Sequence, residues 1–136
     1  MNASPSLLPA LGRLLLAAIF LLSGVGKLAA PAATIGYIAS AGLPLPQLGY
    51  AVALAVEIGG GLLMLVGFQT RITAWVLAAF TLVAAAIFHH DFADQNQMIH
   101  FLKNLAIVGG FLQVAAFGAG NLSIDARRAS AKAKMA

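Results

Sequence analysis

Four long apolar stretches constrain the fold of this chain more than any other feature. They cover about residues 7–28, 48–66, 72–88 and 99–117, and each approaches the roughly 20 residues that a helix needs to cross a bilayer. Backbone groups in hydrocarbon must be hydrogen-bonded within their own segment, which makes helices the natural conformation. The stretches lack the two-residue alternation of a membrane strand. We therefore predict an all-α integral membrane four-helix bundle.

The composition excludes most other classes of protein. Of the 136 residues, 61% are hydrophobic and 9% are charged, whereas a soluble domain carries roughly 25% charged residues. A disordered chain would also be far more polar. The lack of cysteine excludes disulfides, thiolate metal sites and thiol redox chemistry. The length leaves room for one domain, which we predict to span residues 1–136.

The connectors predict how the chain is oriented in the membrane. Pro and Gly residues at 42–46 interrupt the helix after the first span, and residues 32–41 are compatible with a short interfacial helix. Arg71 and the basic tail at 121–136 lie at one end of the bundle, and basic residues accumulate at cytoplasmic ends. We predict that both termini are cytoplasmic and that the connector at 89–97 faces outward. A cleavable signal is disfavoured because a basic n-region is missing.

Glu57 is the most informative polar residue, because it lies in the middle of the second apolar stretch. A charged side chain at that depth costs roughly 2.5–3.5 kcal/mol on insertion scales, so it requires a partner from another helix. At 1.5 Å per residue from the outer ends of their helices, Glu57 lies ~14 Å deep and Lys103 ~6 Å deep. Their side chains can span this offset. The depth comparison therefore predicts a Glu57–Lys103 pair.

Polar residues of all four helices fall in the outer half of the bundle, which predicts a pocket there. We expect Glu57 and Lys103 to carry acid–base chemistry. The residues predicted to bind a ligand or cofactor are Glu57, Gly60, Gly61, Lys103, Asn104, Lys27 and His89. The structural alternative is that an ion pair only fixes helix register and that Lys27 extends to the interface. Arg13 is expected to anchor the opposite end of the first helix.

The glycines and histidines each allow a second interpretation. Gly60 and Gly61 favour close helix packing, and a flat channel for a planar ligand beside Glu57 is the alternative. His89 and His100 end the third stretch and begin the fourth, so a haem between them, or a metal held by His89, His90, Asp91 and His100, is an alternative. Both are disfavoured because the histidines flank a polar connector and match no recognised metal spacing. No metal ligands are predicted.

Seven short stretches occur in a defined order along nearly the whole chain. They are RLLL at 13–16, FLLSGVGK at 20–27, GLP at 42–44, EIGGG at 57–61, TR at 70–71, KNL at 103–105 and LSID at 122–125. Together they resemble the DoxX family of small four-helix bacterial membrane proteins. The resemblance implies a multi-pass protein of the bacterial inner membrane.

The resemblance also implies a functional class. Members of the family resemble or accompany the membrane subunit of thiosulfate:quinone oxidoreductase. On that model the chain is an accessory subunit of a quinone-linked oxidoreductase that binds a quinone or a small apolar ligand in the outer pocket, and whether it is itself catalytic stays open. Glu57 or Lys103 would handle protons at the quinone oxygens. Electrons would come from a redox partner protein, since the sequence shows no redox centre of its own.

Two other classes of function stay open at this point. One is a small-molecule or proton-coupled exporter, because small four-helix exporters also carry one essential membrane Glu. The other is a scaffold without a ligand, in which Glu57 and Lys103 pair only for packing. A homodimer is compatible with so small a bundle. The bilayer is the expected partner of the apolar surface, and the basic tail is expected to meet anionic lipid and not nucleic acid.

Overall fold

The computed structural model describes residues 7–135, and all regular secondary structure in that range is helical. The outermost predicted domain boundaries, residues 1 and 136, lie outside the described residues. The elements are α1 (Leu8–Ala29), α2 (Pro31–Ser40), α3 (Pro46–Leu54), a π-helical segment (Ala55–Gly60), α4 (Gly61–Val66), α5 (Thr70–Phe88), α6 (Gln95–Phe117) and α7 (Ile124–Met135).

Four of the described helical runs are long and apolar enough to cross a membrane. They are Leu8–Ala29, Pro46–Val66, Thr70–Phe88 and Gln95–Phe117. The predicted all-α fold with four spans is therefore confirmed, and each run begins or ends within a few residues of its prediction. The second run is composite, because α3, the π-helical segment and α4 follow one another without a break.

The connector between the first two spans forms the short helix that the sequence allowed. α2 begins at Pro31, a position where the missing N–H of proline is tolerated. The chain then turns through Gly42 and Leu45, both with positive φ, before Pro46 begins α3. α2 packs mainly against α3, where the Ile38 side chain lies against Gly49. These contacts hold α2 beside the second span.

The core of the bundle is built from a few large side chains set among alanines. Phe111, Met64 and Leu77 are fully buried, and the rings of Phe20 and Phe111 meet edge to face with centroids 5.4 Å apart. Small residues on α1, α5 and α6 complete this cluster and let the helices approach closely. The apolar side chains on the opposite helix faces are exposed, as expected where lipid replaces protein.

One end of the bundle, which we call the tail end, is organised around Arg13. This α1 residue is only 2% exposed. Its guanidinium donates to the backbone carbonyls of Met64 (3.0 Å), Leu65 (2.9 Å) and Ala119 (2.9 Å), and also to that of Leu122. The last carbonyls of a helix lack intrahelical donors, so Arg13 satisfies the end of α4. The predicted anchor is thus buried within the protein and does not extend to the interface.

Asp125 completes the tail end by capping the start of α5. Its carboxylate accepts hydrogen bonds from the backbone N–H groups of Gln69 and Thr70, both at 2.9 Å, and from the Thr70 hydroxyl at 2.7 Å. Partial burial raises the pKa of Asp125, but these hydrogen bonds and the charge of Arg128 outweigh it and leave the pKa below its ordinary value. The tail is therefore fixed to the bundle by the first turn of α7.

Candidate functional site

A cavity of about 980 Å³ lies in the half of the bundle opposite the tail end, which we call the pocket half. This volume is at the upper end of the roughly 300–1,000 Å³ found for small-molecule sites. The wall is mainly apolar, and α1, α2, α3, α5 and α6 all contribute to it. The central wall residues are Phe20, Ile38, Val52, Phe80 and Ile107. The cavity has the size and the wall of a site for a small organic molecule.

Glu57 is the buried charged residue of this wall. The residue is 6% exposed and belongs to the π-helical segment in the middle of the second span. A π-helical turn is wider than an α-helical turn, is rare, and is found frequently at functional sites. The π-helical geometry of this segment therefore determines the direction in which the Glu57 side chain leaves the backbone.

One oxygen of the Glu57 carboxylate is fully engaged with α1. Lys27 Nζ donates to Glu57 Oε1 at 2.9 Å and to Ser23 Oγ at 2.8 Å, and Ser23 Oγ donates to the same Oε1 at 3.3 Å. Ser23 and Lys27 are four residues apart on α1 and thus share one face of the helix. The Lys27 end of α1 is further held by the Tyr50 hydroxyl, which donates to the Lys27 carbonyl at 3.1 Å.

The other oxygen, Glu57 Oε2, is buried and has no hydrogen-bond partner among the described residues. A buried acceptor without a partner costs about 1–3 kcal/mol, and more if it is charged. Glu57 lines the cavity together with Ser23 and Lys27. The arrangement therefore leaves an unsatisfied acceptor on a residue at the polar end of an otherwise apolar cavity.

The observed ion pair differs from the predicted one. Glu57 pairs with Lys27, whereas Lys103 is exposed on α6 and is not part of the cavity wall. The depth comparison gave the height of each residue but not its direction around the helix axis, which turns by about 100° per residue. Asn104, the next residue, faces the cavity. Lys27 is consequently a partner of Glu57 and not a free interfacial lysine.

The two predicted ligand-binding glycines lie behind the cavity wall. A Cβ on Gly60 would lie 2.8 Å from a methyl carbon of Leu77, and one on Gly61 would lie 2.9 Å from the Cγ atom of Leu21. Neither glycine lines the cavity. These contacts agree with the close-packing interpretation, in which the missing side chains let α5 and α1 approach the second span.

Two aromatic pairs border the cavity where α5 ends. Tyr37 on α2 stacks on Phe88 with ring centroids 5.1 Å apart. His89 stacks on His100 at 5.0 Å, and its Nδ1 lies 3.2 Å from Gln97 Oε1. Within residues 7–135 no group of three or more His, Cys, Asp or Glu side chains is placed to hold a metal ion.

Four of the predicted site residues therefore share one cavity, namely Lys27, Glu57, His89 and Asn104. Lys103, Gly60 and Gly61 lie outside its wall. The sequence interpretation did not include Ser23 or Tyr37 in the site. The position of Ser23 four residues before Lys27 was the available signal, since that spacing places both on one helix face. No sequence spacing indicated that Tyr37 lines the cavity, because its position depends on how α2 folds back against α3.

Comparisons with known proteins agree with this architecture. A family model described as DoxX matches residues 8–90. The chain is 43% identical over 115 residues to inner membrane protein YqjF of Escherichia coli K12, covering 83% of this chain and 85% of that protein. It is 37% identical over 132 residues to inner membrane protein YphA of the same organism, covering 93% and 94%. No solved structure gives a significant match.

Proposed function

This chain belongs to the DoxX family and is an integral inner membrane protein, and on that premise we propose that it binds a quinone-like molecule in the cavity beside Glu57. It does so as an accessory subunit of a membrane redox system. The observation that carries the proposal is Glu57 Oε2, a buried acceptor that has no partner among the described residues and belongs to a residue lining a mainly apolar cavity.

The shape and chemistry of the cavity support a ligand of this class. A quinone-like ring is planar and apolar on its faces, with polar oxygens only at its edges. Phe20 and Phe80 supply aromatic wall surface for such a ring. Glu57 and Lys27 on one side, with Asn104 on α6, supply polar groups for its edges. A water-soluble polar metabolite would leave most of its own polar groups unpaired against this wall.

The proposal places proton handling on Glu57 and removes Lys103 from that role, because Lys103 does not line the cavity. Electron transfer belongs to a redox partner protein, since cysteine is absent from the sequence. We also propose cytoplasmic termini, supported by the basic residues of the tail end and α7. These are Arg71, Arg127, Arg128, Lys132 and Lys134. The cavity then opens toward the outer half of the membrane.

The test is to identify what the protein carries from its own membrane. The full chain is purified in mild detergent, and small molecules extracted from it are identified by mass spectrometry. Glu57→Gln is compared with Lys103→Met, which removes a membrane charge outside the cavity wall. We expect a quinone or related aromatic with the wild type and Lys103→Met, and a loss of at least tenfold with Glu57→Gln. Equal recovery from all three proteins, or recovery from none, contradicts the proposal.

A further inference from the structure

We infer that the cavity selects a neutral ligand that donates a hydrogen bond to Glu57 Oε2, such as the hydroxyl of a hydroquinone or phenol. The inference rests on the proposed function and narrows it to the reduced form of the ligand. It follows from two features of the pocket half, the distribution of hydrogen-bond donors around Glu57 and the net charge of the wall.

The donors around Glu57 are unevenly distributed between its two oxygens. An ionised carboxylate only accepts hydrogen bonds. Lys27 and Ser23 both donate to Oε1, while Oε2 receives no donor within the described chain. A quinone carbonyl is also an acceptor, and against Oε2 it would bring two acceptors together. A hydroxyl supplies the missing donor, so the reduced ligand completes the hydrogen bonding of Glu57.

The charge of the wall argues for a neutral ligand. The acidic and basic residues that line the cavity are Lys27, Glu57 and His89. The opposite charges of Lys27 and Glu57 lie 2.9 Å apart and cancel one another. A cationic ligand at Oε2 would be repelled by Lys27, and an anionic ligand would meet the carboxylate. Because Glu57 has Lys27 as its counter-ion, the cavity differs from a site in which a membrane glutamate without a counter-ion binds cations.

The remaining polar side chains of the wall do not create the preference. Asn104 lines the cavity from α6, and its amide both donates and accepts, so it suits a hydroxyl and a carbonyl equally. The hydroxyls of Thr81 and Thr34 already donate to backbone carbonyls at 2.6 and 2.9 Å, and the Tyr37 hydroxyl, which also lines the cavity, both donates and accepts. Glu57 Oε2 is therefore the atom that distinguishes a reduced ligand from an oxidised one.

The experiment measures binding of a matched ligand set to the full chain in lipid nanodiscs. The probes are a decyl-substituted hydroquinone, its dimethyl ether and the corresponding quinone, tested by equilibrium dialysis without oxygen. Tetraphenylphosphonium is included as a lipophilic cation. We expect the hydroquinone to bind at least tenfold more tightly than the ether and the quinone, which corresponds to about 1.4 kcal/mol. The cation should bind no better to the protein than to empty nanodiscs.

Two variants test whether the preference for the hydroquinone depends on Glu57. In Glu57→Gln the side-chain amide can donate as well as accept, so the advantage of the hydroquinone should fall below threefold. Lys103→Met, outside the wall, should retain it. The wild-type comparison needs no variant, and it tests the inference even if Glu57→Gln fails to fold.

The outcomes separate this inference from the proposed function. Equal binding of hydroquinone and quinone, or tighter binding of the quinone, overturns the inference and leaves the proposed function standing. Binding of the ether as tightly as the hydroquinone also overturns it, because the ether lacks the donor. Failure of all three aromatic probes overturns both. Binding of the cation alone overturns both and favours an exporter.

Discussion

The two ends of the bundle treat a buried charged residue in opposite ways. At the tail end, Arg13 donates to four backbone carbonyls, and Asp125 accepts three hydrogen bonds at the start of α5. In the pocket half, one oxygen of Glu57 accepts from Lys27 and Ser23, and the other has no donor among residues 7–135. The hydrogen bonding of the charged side chains at the tail end is therefore complete within the protein, whereas in the pocket half one carboxylate oxygen is left for the ligand that we propose. Substitutions at the tail end should change stability, and those at Glu57 should change binding.

The largest effect is expected from Arg13→Leu. The substitution removes the donors of four carbonyls in a segment that joins α1, the end of α4 and the connector after α6. We expect a loss of at least about 4 kcal/mol in the free energy of unfolding, measured by SDS titration in bicelles, because a buried network is broken. The stability of Arg13→Lys should lie between those of the wild type and Arg13→Leu, since lysine keeps the charge but lacks the planar guanidinium group. A loss below about 1 kcal/mol would contradict the tail-end network.

Gly67→Ala tests the same end through its backbone. Gly67 has a φ of 69°, and a Cβ there would lie 2.6 Å from Arg13 Nη1 and 2.5 Å from Ser123 Cβ. We expect a loss of about 2–4 kcal/mol, from left-handed strain and overpacking together. Gly26→Ala is the matched control, because a Cβ on Gly26 meets nothing within 4 Å. Similar losses in both variants would exclude a specific role for the contact with Arg13.

A double-mutant cycle at Lys27 and Glu57 tests the pocket half. Lys27→Met leaves the carboxylate without its counter-ion and should cost about 1–3 kcal/mol of stability, a value reduced because the Lys27 side chain is 26% exposed. Adding Glu57→Gln should restore most of this stability but not ligand binding. Lys103→Met in place of Lys27→Met should have little effect. A strong coupling between positions 57 and 103 would restore the depth-based pairing and contradict the observed one.

The smallest effect is expected from Asp125→Ala, and it should depend on pH. Loss of the cap on α5 should cost about 1–2 kcal/mol at neutral pH. Because the pKa of Asp125 is lower in the folded protein, its contribution is present above its ordinary pKa of about 3.9 and is lost as the pH falls through the folded value. The stabilities of the wild type and the variant should therefore begin to converge below about pH 4 and should meet only below the folded pKa of Asp125. A constant difference between pH 7 and pH 3 would exclude a role for the carboxylate charge.

The sequence was sufficient to predict the four spans and the burial of Glu57. Bilayer thickness sets the length of an apolar stretch. A carboxylate in the middle of such a stretch is costly in lipid, so it is expected to face the interior of the bundle. Residues 31–40 form the expected short helix, since Pro31 begins it and Gly42 follows it closely. These predictions depend on local composition and length, which a linear sequence records directly.

The partners of the charged residues could not be predicted in the same way. The choice between Lys27 and Lys103 depends on the direction each side chain takes around its helix, and neighbouring residues differ by about 100°. Arg13 bonds to backbone carbonyls, which every residue carries, so no side-chain pattern marks the acceptors. α2 contributes Tyr37 to the cavity by folding back beside α3, and this contact depends on the turn at Gly42.

The π-helical segment Ala55–Gly60 has a consequence for how the site is encoded. Its turns are wider than those of an α-helix. The side chains of α3 therefore do not continue the α-helical register of α4, although both belong to one span. One residue more or fewer in this segment would turn Glu57 by about 100° around the helix axis. Every residue of the cavity wall would keep its identity. The direction of the carboxylate is therefore encoded in the length of a six-residue segment, which a scan of substitutions would not reveal.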